Sequence, residues 1–179
     1  MSGRYSIATL GCKVNQIDSA AICTDLESAG YGSAPFGEPA EVIIVNTCAV
    51  TARADRQGRQ LVLRARAACP DALIVVTGCS PHTTQSPNAY PQADVVCGNV
   101  EKGAILSLID QRKIKGLRIE RIAPISAETT VGNAGPARMP GRTRAFCKIQ
   151  DGCSFSCAYC IVPAARTCAL TCKIGRAHV

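Results

Sequence analysis

With 179 residues, 47% of them hydrophobic, the chain is long enough for one ordinary domain and part of another, and wholesale disorder is excluded. Its longest apolar runs, Val42–Val45 and Leu73–Val76, are far too short to span a bilayer, and Met1-Ser-Gly-Arg-Tyr-Ser6 lacks a charged-then-apolar leader pattern. The expected setting is therefore the cytoplasm, with no membrane partner; a charge of +7, from 20 basic and 13 acidic residues, suits a polyanion such as RNA, whereas 4% aromatics argue against a base-stacking sheet.

The first half reads as strand–helix units. Arg4–Leu10 is a predicted strand, ended by the turn Gly11-Cys12-Lys13-Val14. Asn15 is placed to cap a helix running to about Ala29, with Asp18 in its first turn favouring the dipole. Ile22, Leu26 and Ala29 share one face, and Gly30 is a natural stop. Val42–Val45 is a β-branched run suited to a strand covered on both faces. A second helix is predicted from about Ala52 to Ala68, with Ala54, Gly58, Leu61, Ala65 and Ala68 as a small-residue packing face and five arginines around the rest; Pro70 ends it.

Leu73–Thr77 is the third predicted strand, Pro81–Pro91 a loop, Val95–Cys97 a short fourth strand and Glu101–Gln111 a helix. Strands alternating with helices imply an α/β fold with a parallel sheet. Ile119–Ile125 reads as an extended edge segment, and Thr129–Gly141, with three Gly and two Pro, as a linker. Thr143–Ile149 then reads as the opening strand of a second domain. The expected division is 1–112, 113–142 as edge segment and linker, and 143–173 as the start of the second domain.

Twelve cysteines in a cytoplasmic chain point to metal or redox chemistry before disulfides. Cys153, Cys157 and Cys160 lie in Lys148-Ile-Gln-Asp-Gly-Cys-Ser-Phe-Ser-Cys-Ala-Tyr-Cys160 with C-x3-C-x2-C spacing. Three thiolates in so short a loop can hold one inorganic centre, and no fourth ligand follows at a usual zinc-finger spacing. Cys12, Cys48 and Cys79 share another setting, each just past the end of a predicted strand. In a parallel sheet such ends lie on one edge, with strands about 4.8 Å apart, so three distant thiols can converge there. Cys23, Cys69, Cys97 and Cys147 read as structural.

The first triad, with Tyr159 before its last cysteine, resembles the radical S-adenosylmethionine signature. Thr9-Leu-Gly-Cys-Lys-Val-Asn-Gln16, Val45-Asn-Thr-Cys-Ala-Val-Thr51, Val76-Thr-Gly-Cys79 and Ile161-Val-Pro163 extend the likeness to the radical S-adenosylmethionine methylthiotransferases, over roughly residues 4 to 166. The form Leu-Gly-Cys-Lys-Val-Asn-Gln most resembles the subgroup acting on N6-threonylcarbamoyladenosine beside the tRNA anticodon.

The resemblance implies an auxiliary [4Fe–4S] cluster on Cys12, Cys48 and Cys79, and a radical [4Fe–4S] cluster on Cys153, Cys157 and Cys160. It also places Tyr159 near S-adenosylmethionine. The implied fold is an N-terminal methylthiotransferase domain followed by the first strand and cluster loop of an incomplete radical (β/α) barrel. The implied reaction activates adenine C2–H with a 5′-deoxyadenosyl radical and transfers a methylated sulfur. The implied partners are the tRNA anticodon stem-loop and an electron donor such as flavodoxin or ferredoxin.

Isopentenyladenosine tRNA or a ribosomal-protein aspartate are alternative substrates, and a non-catalytic zinc or iron–sulfur module is the alternative of another class. Only 19 residues follow Cys160, which is too few to enclose the cosubstrate, so a truncated chain, inactive alone, is expected. Thr167–Lys173 departs from the family pattern, leaving Cys168 and Cys172 as expected non-ligands, and residues 174–179 resemble a translated sequencing adapter. Ser80-Pro81-His82 also departs from the family after Cys79.

Overall fold

A computed structural model describes residues 3–83, 88–125, 136–137, 146–166 and 170–171. In chain order the elements begin β1 (Arg4–Thr9), α1 (Lys13–Ser28), β2 (Gly32–Ser33), β3 (Val42–Thr47), α2 (Ala52–Ala68), β4 (Leu73–Gly78) and α3 (Ser80–Thr83). They continue with β5 (Val95–Cys97), a 3₁₀ turn at Lys102–Ala104, α4 (Ile105–Lys115) and β6 (Ile119–Arg121).

These strands form one six-stranded sheet in the order β2-β1-β3-β4-β5-β6, every pairing parallel. The expected parallel α/β sheet is therefore present. β3 lies at its centre, and all six of its residues are buried, as its unbroken apolar run requires. Alternate side chains serve opposite faces. Val42 and Ile44 join Tyr5, Ile22, Leu26, Leu108 and Ile109, the layer of α1 and α4. Ile43 and Val45 join Val62, Ala65, Ile74, Val76 and Tyr90, the layer of α2.

Several boundaries differ from expectation for physical reasons. α1 begins at Lys13 with Cys12 in the cap position, so Asn15 is not its cap. Asn15 is buried inside the helix instead, and Asp18 is buried among cations rather than placed to favour the dipole. Ala29 follows the helix and is exposed; Gly30, at φ 89°, makes the expected stop. α2 has the predicted bounds, but its buried residues are Gly58, Val62 and Ala65. Val62 fills the gap above β3 and β4, and Ala68 stays in solvent. Pro81–Thr83, expected as loop, belong to a single helical turn at Ser80–Thr83. The predicted helix 101–111 is a 3₁₀ turn running into α4, which ends four residues later at Lys115, with Gly116 in the left-handed region.

Only Ile119–Arg121 of the predicted edge segment is strand. Beyond it, β7 (Pro136–Ala137) pairs antiparallel with β8 (Phe146–Cys147), and β9 (Gln150–Asp151) with β10 (Leu170–Thr171); α5 (Val162–Ala165) lies between the last two. Most of the predicted linker, residues 143–145 of the predicted opening strand, Cys168, Cys172 and residues 174–179 lie outside the described residues. Among the described residues no helix is long and apolar enough to cross a membrane.

Candidate metal centre

Strand β1 connects through α1 to β2 on one side, while β3 connects through α2 to β4 on the other. The direction of winding therefore reverses between β1 and β3, and open α/β sheets bind ligands beyond the strand ends at such a point. Cys12 lies three residues past β1, and Cys48 and Cys79 follow β3 and β4 directly, all on this rim. In-register pairing of Thr9 with Asn46 and of Thr47 with Gly78 sets the three strand ends level.

The turns that lift the thiols over the rim need glycine. Gly11 has φ +93°, and a Cβ there would lie 2.7 Å from both Cβ and Sγ of Cys48. Gly78 has φ +104°, and a Cβ would lie 2.4 Å from the Thr47 carbonyl oxygen. Cys48 and Cys79 are buried and Cys12 is exposed. Burial raises the Cys48 thiol above its ordinary range; the Val50 N–H and Arg166 oppose the rise, while the charges of Cys79 and Cys12 add to it. The three thiols thus stand at one end of the sheet, a relation that follows from strand order and not from sequence spacing.

Amides hold this rim. Asn15 Nδ2 donates to the carbonyls of Leu10 (2.9 Å) and Thr47 (2.8 Å), tying the Cys12 and Cys48 turns together. Asn46 Nδ2 donates to the Asn15 carbonyl and to Ser19 Oγ, both at 2.9 Å. Asn99 Nδ2 lies 3.8 Å from Cys79 Sγ and donates to the Ala165 carbonyl at 2.5 Å, while the Asn99 N–H donates to His82 Nε2 at 2.7 Å.

Cys153, Cys157 and Cys160 occupy the loop between β9 and α5. The Cys160 N–H donates to the Cys157 carbonyl at 3.0 Å, closing a tight turn, and Gly152 adopts φ 72°. Cys157 is exposed, and Cys153 and Cys160 are partly so. Tyr159 and Phe155, 92% and 76% exposed, stand out from the loop into solvent.

A buried ion network joins this loop to the sheet rim. Asp18 on α1, 2% exposed, accepts from Lys102 Nζ (2.6 Å), Lys148 Nζ (2.7 Å) and Arg166 Nη2 (2.9 Å). Asp151 accepts from Lys148 Nζ (2.9 Å), Arg166 Nη1 (2.6 Å) and the Gly152 N–H (3.0 Å). Arg166 Nη2 also donates to Asn15 Oδ1. Lys148 and Arg166 flank the cysteine loop in sequence, so both of its ends are pinned to α1.

Burial alone would raise the Asp18 carboxyl; the charges of Lys102, Arg166 and Lys148 outweigh it and hold the group far below the usual carboxylate range. Three cations face two carboxylates here, leaving excess positive charge; against burial, Asp18 foremost favours the charged form of Arg166. Arg166 Nε is buried with no hydrogen-bond partner, and so is Asn99 Oδ1.

Lys102, Lys148, Arg166 and Asn99 were not singled out from sequence. Asn15, Asp18, Ser19, Ile22 and Leu26 are all buried on α1 and follow helical spacing. Polar residues within that apolar stripe were the available signal. Of the remaining cysteines, Cys97 is fully buried, with its thiol pushed up to about 12 by burial, Cys23 and Cys69 are half-buried, and Cys147 is exposed.

The thiols, the surrounding cations and the orphaned Arg166 N–H fit an anionic, cysteine-held group at the rim. Among the described residues no three His, Cys, Asp or Glu side chains close around a single ion.

The family model described as "Uncharacterized protein family UPF0004" matches residues 4–98. Among curated proteins, the threonylcarbamoyladenosine tRNA methylthiotransferase MtaB of Bacillus subtilis is 37% identical over 159 residues, 88% of this chain and 35% of that protein. The Aquifex aeolicus protein of the same name is 30% identical over 164 residues, 91% of this chain and 40% of that protein. The tRNA-2-methylthio-N(6)-dimethylallyladenosine synthase of Acidothermus cellulolyticus is 34% identical over 171 residues, 90% of this chain and 33% of that protein. The chain thus spans between a third and two fifths of the length of these relatives. Through the match over its sheet domain, the chain belongs to the UPF0004 family, and it resembles the named tRNA methylthiotransferases across most of its length.

Proposed function

We propose that this chain carries the sulfur-donating part of a tRNA methylthiotransferase acting on N6-threonylcarbamoyladenosine. Cys12, Cys48 and Cys79 would hold an auxiliary [4Fe–4S] cluster. Cys153, Cys157 and Cys160, at the start of a radical S-adenosylmethionine domain, would hold the second. The observation that carries this reading is the placing of three thiols on the ends of neighbouring strands β1, β3 and β4, with the second cysteine loop tied to the same rim by Asp18.

When bound, the two clusters and S-adenosylmethionine supply radical activation of an adenine C–H bond and a methylated sulfur. The chain's own residues do the rest. Asn15 and Asn46 fix the turns bearing Cys12 and Cys48. Arg166 and Lys102 supply positive charge on the side of the rim that faces the second loop. Asp151 and Asp18 hold that charge in place and anchor the second loop.

Relatives carrying the threonylcarbamoyladenosine name and the dimethylallyladenosine name align over similar shares of the chain. The Leu10-Gly-Cys-Lys-Val-Asn-Gln16 sequence favours the first substrate. Anaerobic reconstitution with iron and sulfide tests the two-cluster reading. About eight irons per chain are expected, falling to about four when Cys12, Cys48 and Cys79 are replaced by Ala. Zinc without sulfide would overturn it. Mass spectrometry of tRNA from cells relying on a full-length version decides between the two nucleosides.

A further inference from the structure

Helix α2 presents its outer face as a single-sign strip. Gly58, Val62 and Ala65 are its buried residues. At about 100° per residue, Arg53, Arg56, Gln57, Gln60 and Arg64 fall within an arc of roughly 100° on the opposite side. All five are exposed, and no acidic side chain lies among them. The single carboxylate of the helix, Asp55, sits outside the strip and pairs with Arg59, while Arg66 pairs with Asp94. Arg53, Arg56 and Arg64 form no ion pair among the described residues.

The strip begins at the thiol rim. Thr51, three residues beyond Cys48, caps α2 by accepting the Ala54 N–H at 3.1 Å. From Arg53 to Arg64 the helix advances roughly 16 Å at 1.5 Å per residue. The helix N-terminus adds partial positive charge at the end nearest the rim. The opposite layer is different: α1 exposes Asp25 and Glu27, and α4 exposes Asp110 among its basic residues.

We propose that this face of α2 is a phosphate track that lays an RNA strand along the helix and leads it to the cysteine rim. The proposal rests on the tRNA reading above and names the surface that would serve it. Arginine suits phosphate because its planar guanidinium can donate two parallel hydrogen bonds, and the interleaved Gln57 and Gln60 add neutral donors to phosphate or sugar oxygens. An acidic protein offers the same sign of charge. The narrow, elongated strip beginning at the rim suits a polynucleotide better.

The test is fluorescence anisotropy of the 179-residue chain with a labelled RNA hairpin across a salt series. The variants are the triple substitution Arg53→Gln, Arg56→Gln, Arg64→Gln and the matching triple Lys substitution. Loss of three phosphate contacts lowers the slope of log affinity against log salt by about 2 to 3, and weakens binding about tenfold or more at low salt. The Lys variant should keep the wild-type slope. Circular dichroism melts show whether the exposed substitutions leave the fold intact. An unchanged slope in the Gln variant would overturn the track while leaving the tRNA reading standing. Failure of the wild-type chain to bind RNA would count against both. Competition by polyglutamate as strong as that by RNA would assign the strip to an acidic protein instead.

Discussion

Replacing Asp18 by Asn removes the one carboxylate shared by Lys102, Lys148 and Arg166 while leaving its shape almost unchanged. Asp151 still faces Lys148 and Arg166, but Lys102 has no other ion-pair partner among the described residues. All three cations are at least nine-tenths buried, so water cannot take over. Breaking a buried pair from one side costs about 3–5 kcal/mol, against a total of roughly 5–15 kcal/mol for an ordinary domain. In urea, with a slope of about 2 kcal/mol per molar, the unfolding midpoint of the cluster-free chain should fall by roughly 2 M.

Lys102→Met in the Asp18→Asn background removes one uncompensated charge and should recover part of the loss. The wild-type contribution has a defined pH range. A carboxyl lowered by folding stabilises fully above its unfolded value of about 3.9, and loses that contribution only as pH falls through the lower folded value. A cost below about 1 kcal/mol, or a full separate cost for Lys102→Met on top of Asp18→Asn, would refute the claim that this network carries the docking of the cysteine loop.

Gly11→Ala should cost about 1–2 kcal/mol from its left-handed backbone alone, and more from the contact with Cys48. A lowered melting temperature and reduced iron uptake by Cys12, Cys48 and Cys79 would show it, whereas unchanged values of both would contradict the geometry. Asp94 accepts from the Ile74 N–H (2.9 Å), Arg66 (2.6 Å) and Arg112 (2.9 Å). These bonds overcome the opposing effect of burial and hold its carboxyl below the usual range. Asp94→Asn should therefore cost about 1.5–3 kcal/mol near neutrality, with the difference closing as pH falls below about 4, measured by denaturant titration at several pH values. Alkylation of the native, cluster-free chain followed by peptide mapping should label exposed Cys12 and Cys157 and spare Cys97, whose thiol is fully buried and pushed up to about 12. Rapid labelling of Cys97 would place it outside the core.

The sheet was legible because burial on both faces writes long β-branched runs such as Val42–Val45, and α2 because its small residues recur at helical spacing up to Pro70. The common setting of Cys12, Cys48 and Cys79 after three strands was legible for the same reason. The ion network was not. Asp18 finds its partners 84, 130 and 148 residues away, so the helical stripe that turns it inward does not say which cations meet it there. Asn15 is a second case: asparagine favours caps through its own short reach, but here that reach spans two neighbouring turns. The packing face of α2 was offset because small residues mark where a helix can approach, whereas the shape of β3 and β4 decides which side chain fills the space.

The shared Asp18 carboxylate also bears on how the molecule can be recombined. Its three donors come from the 3₁₀ turn, from beside β8 and from the end of α5, so no single contiguous piece supplies the whole arrangement. A hybrid that grafts residues 146–166 from a relative onto this sheet should assemble only when the incoming piece brings cations matched to positions 148 and 166. A sheet domain expressed by itself should accept that piece added in trans and lose it in acid or high salt.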